Sequence, residues 1–291
     1  MVKTILITGA TDGIGKHLAK KLASEGHHVI LHGRNLQKLE LATQEVRSVS
    51  LRGRVSSYLA DFSKLDDVYQ FVEEIKRDFQ RIDVLFNNAG LYAGKKRKAS
   101  AENVELTFML SVLVPYILTT ELSPLLEKTA DGRVINTSSY MHHFAKVKDL
   151  DFGFENNYNP GLAYNNSKLY TIWMTRYLAR DFFLRGSSIT VNSYHPGLIS
   201  TNLGNDSSDE KTKKSLFGRL MKSFSKNLDE GIETGYYLTL SEEITGLTGY
   251  YFDEKKVKSV SEKGYTLKKA RDLINYCNDK IELFQNKSTI S

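Results

Sequence analysis

The chain has 291 residues, 41% hydrophobic and 25% charged, a composition that suits a folded domain and excludes a disordered polymer. Lys plus Arg is 40 and Asp plus Glu is 34, a net charge of +6 with a pI near 9.1; this mild excess suits an anionic ligand and does not by itself imply nucleic acid. The lone Cys277 excludes an internal disulfide framework and a cysteine-based metal cluster.

In chain order, Ile5-Leu6-Ile7 predicts a strand closing on Thr8-Gly9. Ile14, Leu18 and Leu22, four apart, predict a helix that stops near Gly26. Val29 to Leu31 reads as a second strand, Leu36 to Val49 as a helix, Val55 to Leu59 as a third strand, Val68 to Phe79 as a helix and Ile82 to Phe86 as a fourth strand. A long helix from about Ala101 to Glu127 leads to strand Val134 to Asn136, and another from about Ala163 to Leu184 leads to strand Ile189 to Ser193. Short apolar strands alternating with amphipathic helices predict an α/β fold, a doubly wound parallel sheet with helices on both faces.

No repeat and no Pro-, Gly- or Ser-rich linker divides the chain. A single domain is expected over 1–252, with a C-terminal extension, 253–291, packing on it. In that extension Leu267, Ala270, Ile274, Cys277, Ile281 and Phe284 share one helix face, which packs on its own domain or on a second subunit. No run of about 18 apolar residues stands out, so no membrane span is expected. The first strand follows Met1 at once, which leaves no signal or transit peptide and makes the expected location cytoplasmic.

Thr8-Gly9-Ala10-Thr11-Asp12-Gly13-Ile14-Gly15 lies between the first strand and the first helix. There the backbone must turn sharply and approach a pyrophosphate, which side chains obstruct. The helix start behind Gly13 offers free N–H groups and a positive dipole end. This placement points to a dinucleotide; a tight turn without a ligand is the plainer alternative. NAD-preferring sites carry an acid roughly 20 residues further on, for the ribose 2′-hydroxyl. The chain there reads Leu31-His32-Gly33-Arg34-Asn35, without an acid. Arg34 suits a 2′-phosphate, so NADP(H) is the expected cofactor; a solvated loop arginine is the alternative.

Tyr164-Asn165-Asn166-Ser167-Lys168 falls on a predicted helix, where residues four apart share a face. A free tyrosine has a pKa of about 10, and lowering it to about 7 takes roughly 4 kcal/mol. One ammonium at about 4 Å supplies about that much at an effective dielectric near 20. Ser139 closes the run Asn136-Thr137-Ser138-Ser139 at a strand end, where a parallel sheet binds ligands and a hydroxyl can donate to a substrate carbonyl. A surface tyrosine with a solvated lysine is the bland reading of the pair.

With these stretches in order, the sequence resembles the short-chain dehydrogenase/reductase family, most of all its retinol-dehydrogenase-like and WW-domain-oxidoreductase-like members. The matching residues are Thr8 to Gly15, Asp61, Asn87-Asn88-Ala89-Gly90, Ser138-Ser139, Tyr164 to Lys168, and His195-Pro196-Gly197 with Thr201. Weaker similarity continues through Glu230 to Thr234 and Gly249 to Phe252. The resemblance implies hydride transfer between NADP(H) and a carbonyl or alcohol. It makes Tyr164 the acid/base, gives Lys168 the tuning of its pKa and the nicotinamide ribose, and has Ser139 orient the substrate. Gly9, Thr11, Asp12, Gly13, Ile14 and Gly15 would hold the pyrophosphate, and Asp61 with Phe62 would approach the adenine. Asn88, Ala89 and Gly90 would line the cleft, and Pro196, Gly197, Ile199 and Thr201 the nicotinamide side. Asp61 also suits a helix N-cap, and Asn87 to Gly90 a plain turn. The resemblance further implies a homo-oligomer.

One position departs from the pattern. The family carries an asparagine in the long helix where this chain has Ser111, and its helix kink leaves a carbonyl for a water linked to the lysine. Pro115, four residues on, has no N–H for the Ser111 carbonyl. The expectation is that Ser111 and Pro115 preserve the proton relay to Lys168. The alternative is a cofactor-binding sensor or scaffold with impaired turnover.

Residues 204–226 carry an apolar helical face of Leu216, Phe217, Leu220, Met221 and Phe224 among basic neighbours. They suit a lid over a lipophilic substrate, a membrane-surface helix or an ordinary packed helix. Lys95-Lys96-Arg97-Lys98 reads as solvated loop, since no aromatic residue interrupts it as nucleic-acid binding would want. His142-His143 lacks a third ligand at metal spacing and suits a pocket wall.

Overall fold

Leu6 packs into one core cluster while its neighbours Ile5 and Ile7 pack into another, and this period of two organises the sheet. The computed structural model describes residues 1–50, 53–92, 94–147, 150–156, 158–197, 228–261 and 264–288. The six strands expected from the sequence are present as β1 (Thr4–Ile7), β2 (His28–Gly33), β3 (Val55–Leu59), β4 (Val84–Asn87), β5 (Arg133–Thr137) and β6 (Thr190–Tyr194). Two more, β7 (Tyr251–Asp253) and β8 (Lys256–Val257), extend the sheet to the order β3-β2-β1-β4-β5-β6-β7-β8. All neighbours are parallel except the β7–β8 pair.

Helices α1 (Gly13–Ser24) and α2 (Leu36–Val49) bury Ile14, Leu18, Leu22, Leu39 and Val46 against the Ile5 face. The helix α3 (Leu65–Asp78) buries Val68, Phe71, Val72 and Ile75 against the Leu6 face. Both faces are therefore covered, which explains why β1, β2 and β4 are buried along almost their whole length.

The expected helix from Ala101 to Glu127 is broken. Residues 101–105 are not helical, because the Glu105 carboxylate starts the helix by accepting from the N–H groups of Thr107 and Phe108 at 2.8 and 2.9 Å. A single turn, α4 (Leu106–Phe108), passes into a π-helical turn at Met109–Leu113, where the Val114 N–H reaches the Met109 carbonyl. The segment resumes as α5 (Val114–Leu126) with Pro115 in its first turn, where a missing N–H costs least.

By length and composition Leu106–Leu126 is apolar enough to cross a membrane, which corrects the expectation that no such run exists; most of it is buried. Here its apolar surface fills the core with Phe108, Val112, Leu118 and Leu122.

Two further long helices complete that face, α6 (Pro160–Leu184) and, after α7 (Leu228–Leu240) on the opposite side, α8 (Leu267–Ser288). Leu273, Ile274 and Cys277 of α8 join the core cluster that contains Trp173 and Leu178 of α6. The segment 204–226 lies outside the described residues.

Candidate active site

The strand order reverses between β1 and β4, and a cleft of about 410 Å³ opens at the carboxyl ends of the strands there. Its floor is knitted from two loops. Thr8 Oγ1 accepts from the backbone N–H groups of Asn88 and Ala89, both at 3.0 Å, and Asn88 Nδ2 donates to the carbonyls of Thr8 and Gly9 at 2.9 and 3.0 Å. Gly9 sits at φ +65°, and a Cβ on it would stand 2.9 Å from the Ala89 Cα. A Cβ on Gly15 would stand 2.5 Å from the Gly9 carbonyl oxygen. Thr11, Gly13 and Ile14 line the same cleft. Asp12 does too, and its carboxylate caps α1 by accepting from the Gly13 N–H at 2.7 Å.

At the cleft's far end stand Arg34, Asn35 and Lys38, where β2 gives way to α2. Asp61, Phe62 and Ser63 form the wall beside them. The Asp61 carboxylate accepts from the Ser63 N–H and hydroxyl at 3.1 and 2.9 Å, which braces a turn. The N-cap of α3 is Lys64. These residues fit a dinucleotide: a loop packed so closely that Gly9 and Gly15 admit no side chain, a helix N-terminus beside it, and cations at the opposite end; Gly15 itself packs behind the loop and does not line the cleft.

The cleft runs to Gly90. Just beyond it stands Lys168 Nζ, 3.7 Å from where a Gly90 Cβ would be. Lys168 is buried, donates from Nζ to the Thr137 carbonyl at 3.0 Å, and lies with Nζ 5.6 Å from the centre of the Tyr164 ring. The helix that carries the pair is fixed at three points. Asn159 caps it through the Leu162 N–H, the Asn166 amide exchanges two hydrogen bonds with the Lys146 backbone, and Ser138 Oγ donates to the Lys168 carbonyl at 2.8 Å. Ser139 opens the short turn Tyr140–Phe144 and its hydroxyl accepts from the Met141 N–H at 3.2 Å.

Burial pushes the Tyr164 phenol up from its ordinary value, a side-chain hydrogen bond with Ser139 draws it back, and Tyr92, its ring 5.3 Å away, adds to the rise. Burial pushes Lys168 down to about 8. The expected acidic phenol is therefore not what the chain alone provides. Both groups are desolvated, and the ammonium is turned toward the Thr137 carbonyl.

Ser111 is buried, and its carbonyl accepts from Thr171 Oγ1 at 3.0 Å. Pro196 and Gly197 border a second cavity of about 330 Å³ with Glu230, Thr234 and Asp253. Ile199 and Thr201 lie outside the described residues. His142 is fully buried with Nδ1 2.7 Å from the Ser139 carbonyl oxygen, and no metal-holding cluster occurs among the described residues. Thr8, His32, Thr137 and Thr171 hold the site together, and their bonds had no periodic signal in the sequence.

A family model described as short chain dehydrogenase matches residues 3–212. The chain belongs to the short-chain dehydrogenase family. It is 33% identical over 284 residues to human retinol dehydrogenase 14, covering 93% of this chain and 84% of that protein. Human retinol dehydrogenase 12 is likewise 33% identical, over 273 residues, covering 94% of this chain and 84% of that protein. Among solved structures, a short-chain dehydrogenase from Sphingobium yanoikuyae in complex with NADPH shares the fold. It has a TM-score of 0.61 at 23% identity and covers 80% of this chain and 83% of its own.

Proposed function

We propose that the chain is an NADP(H)-dependent oxidoreductase acting on a lipophilic carbonyl or alcohol, with Tyr164 as the proton donor and acceptor. The observation that carries this is the trio of Ser139, Tyr164 and Lys168 directly beyond the glycine-lined cleft. The NADPH in the Sphingobium structure supports the cofactor. Arg34 and Lys38 at the far end of the cleft support the 2′-phosphorylated form. Relatives named retinol dehydrogenases support a lipophilic substrate, as do the exposed rings of Tyr140 and Phe144 in the turn that Ser139 opens.

When bound, NADP(H) supplies or takes up the hydride. The Gly9 to Gly15 loop and the α1 N-terminus would hold its pyrophosphate, and Arg34 its 2′-phosphate. Tyr164, kept protonated by burial, is set to give its phenolic proton to a substrate carbonyl oxygen. The Ser139 hydroxyl orients that oxygen. Lys168 is charged below about pH 8 and restores a proton-rich, electropositive surrounding to the phenol.

Absorbance of NADPH against a panel of aliphatic and aromatic aldehydes and ketones tests this. Consumption is expected with wild type, and Tyr164→Phe is expected to abolish it while NADPH still binds. A second reading, cofactor binding with impaired turnover, is favoured by the Ser111 carbonyl being held by Thr171. Wild type that binds NADPH and consumes none with any carbonyl would establish that reading instead.

A further inference from the structure

His32 stands at the dinucleotide end of the cleft, enclosed where β1, β2 and β3 end. Its Nδ1 accepts from the Gly9 backbone N–H at 3.1 Å, and its Nε2 lies 3.0 Å from the Ala60 carbonyl oxygen. A single proton on Nε2 satisfies both bonds, whereas the other tautomer or an imidazolium would set an N–H against the Gly9 N–H. Burial keeps the ring neutral, pushing its pKa down to about 4. The His32 carbonyl accepts from the next N–H of the loop, that of Ala10, at 2.9 Å. One residue thus takes two successive N–H groups, with its side chain and with its backbone. The ring also lies flat on Phe62, with centres 3.7 Å apart and planes 9° from parallel, and meets Phe71 edge-on at 5.3 Å.

We infer that His32 is a positioning residue for the dinucleotide: it holds the Gly9 N–H so that the glycine loop keeps its phosphate-binding shape, and it ties that loop through Phe62 to the opposite wall of the cleft. This rests on the NADP(H) reading and extends it to a side chain that acts through the loop. Gly9 lies past the end of β1, and its N–H meets the His32 ring in place of a strand carbonyl. An apolar side chain at position 32 would leave that N–H buried without an acceptor. The loop would then turn its N–H groups toward water, and NADPH affinity would fall with the fraction of loops still set for binding.

Two variants separate the hydrogen bond from the packing. His32→Phe keeps a flat ring against Phe62 and removes the acceptor. His32→Asn keeps an acceptor near Nδ1 and gives up the ring. NADPH titrated calorimetrically is expected to bind His32→Phe about tenfold more weakly than wild type, the penalty for one unsatisfied N–H, and His32→Asn within threefold. In the cofactor-free protein, hydrogen exchange at the Gly9 amide is expected to be slow in wild type and His32→Asn and fast in His32→Phe. Equal NADPH affinity in wild type and His32→Phe overturns the role of His32 alone. Equal weakening in both variants, with Gly9 exchange unchanged, overturns it as well and leaves a packing residue. Wild type that binds neither NADPH nor NADH overturns the cofactor reading itself.

Discussion

The hydroxyl of Thr171 lies 3.0 Å from the carbonyl oxygen of Ser111 and 2.9 Å from that of Ser167. One proton serves both. The first of these bonds crosses from α6 to the π-helical turn, where Pro115 cannot supply the backbone N–H that would reach back to Ser111. Thr171 thus closes a gap that the proline opens, three residues after Lys168. Thr171→Val keeps the shape of the side chain and removes the proton, leaving a buried carbonyl unsatisfied at a cost of about 1–3 kcal/mol. The expected result is a lower melting temperature, with Thr171→Ser recovering most of it. A valine variant that melts with wild type would show that this bond does not hold the turn.

The two shifted groups at the reactive end fix the direction of a pH effect. Tyr164 is raised and stays protonated through neutral pH, so it contributes no loss of proton donation there. Lys168 has been lowered to about 8, so its charge is present below that pH and disappears above it. The kcat/KM for carbonyl reduction, which reports the free enzyme, is expected to be level between about pH 6 and 7 and to fall about tenfold per unit above about pH 8. In Lys168→Arg the charge does not titrate in this range, and the residual rate is expected to lose that bend. A bend that persists in the arginine variant assigns it to another group.

Much of this site could be read from residue order because its motifs sit at forced places. A loop between a strand and a helix at a reversal of strand order turns tightly against its neighbours, and Gly9 and Gly15 leave no room there for a Cβ. Residues four apart on a helix share a face, and Tyr164 and Lys168 do. What escaped has no local signature. The strands β7 and β8 span three and two residues, too short for a period; β7 exists through pairing with β6, and β8 through pairing with β7. His32 reads as one more strand residue until its two ring nitrogens meet Gly9 and Ala60. The break at Glu105 depends on a buried carboxylate turning back on its own helix start, which apolar spacing does not report.

Arg34 is the cation at the end of β2, beside Asn35, whose side chain caps α2 through the Lys38 N–H. A charge-assisted pair with a 2′-phosphate is worth about 1.5–3 kcal/mol. Arg34→Ala is therefore expected to weaken NADPH roughly tenfold to a hundredfold while NADH, which has no 2′-phosphate, changes little. Titration of both coenzymes by fluorescence measures the ratio. An unchanged ratio would place the 2′-phosphate contact elsewhere, with Lys38 the next candidate.

The C-terminal helix offers a test of whether residues 253–291 pack on their own domain. Leu273 is fully buried in the cluster shared with α6, and Cys277, one turn on, is fully buried as well, with burial holding its thiol far above the usual range. A neutral, enclosed thiol is unreactive. Leu273→Ala removes a core side chain at a cost of roughly 2–5 kcal/mol. If α8 belongs to the cooperative unit, the variant is expected to unfold in a single transition at lower denaturant. Cys277, inert to alkylation in native wild type, is then expected to react at a rate that tracks the loss of global stability. Should Cys277 label quickly while the remaining transition stays at the wild-type midpoint, α8 would be peeling away from the rest of the fold as an independent segment.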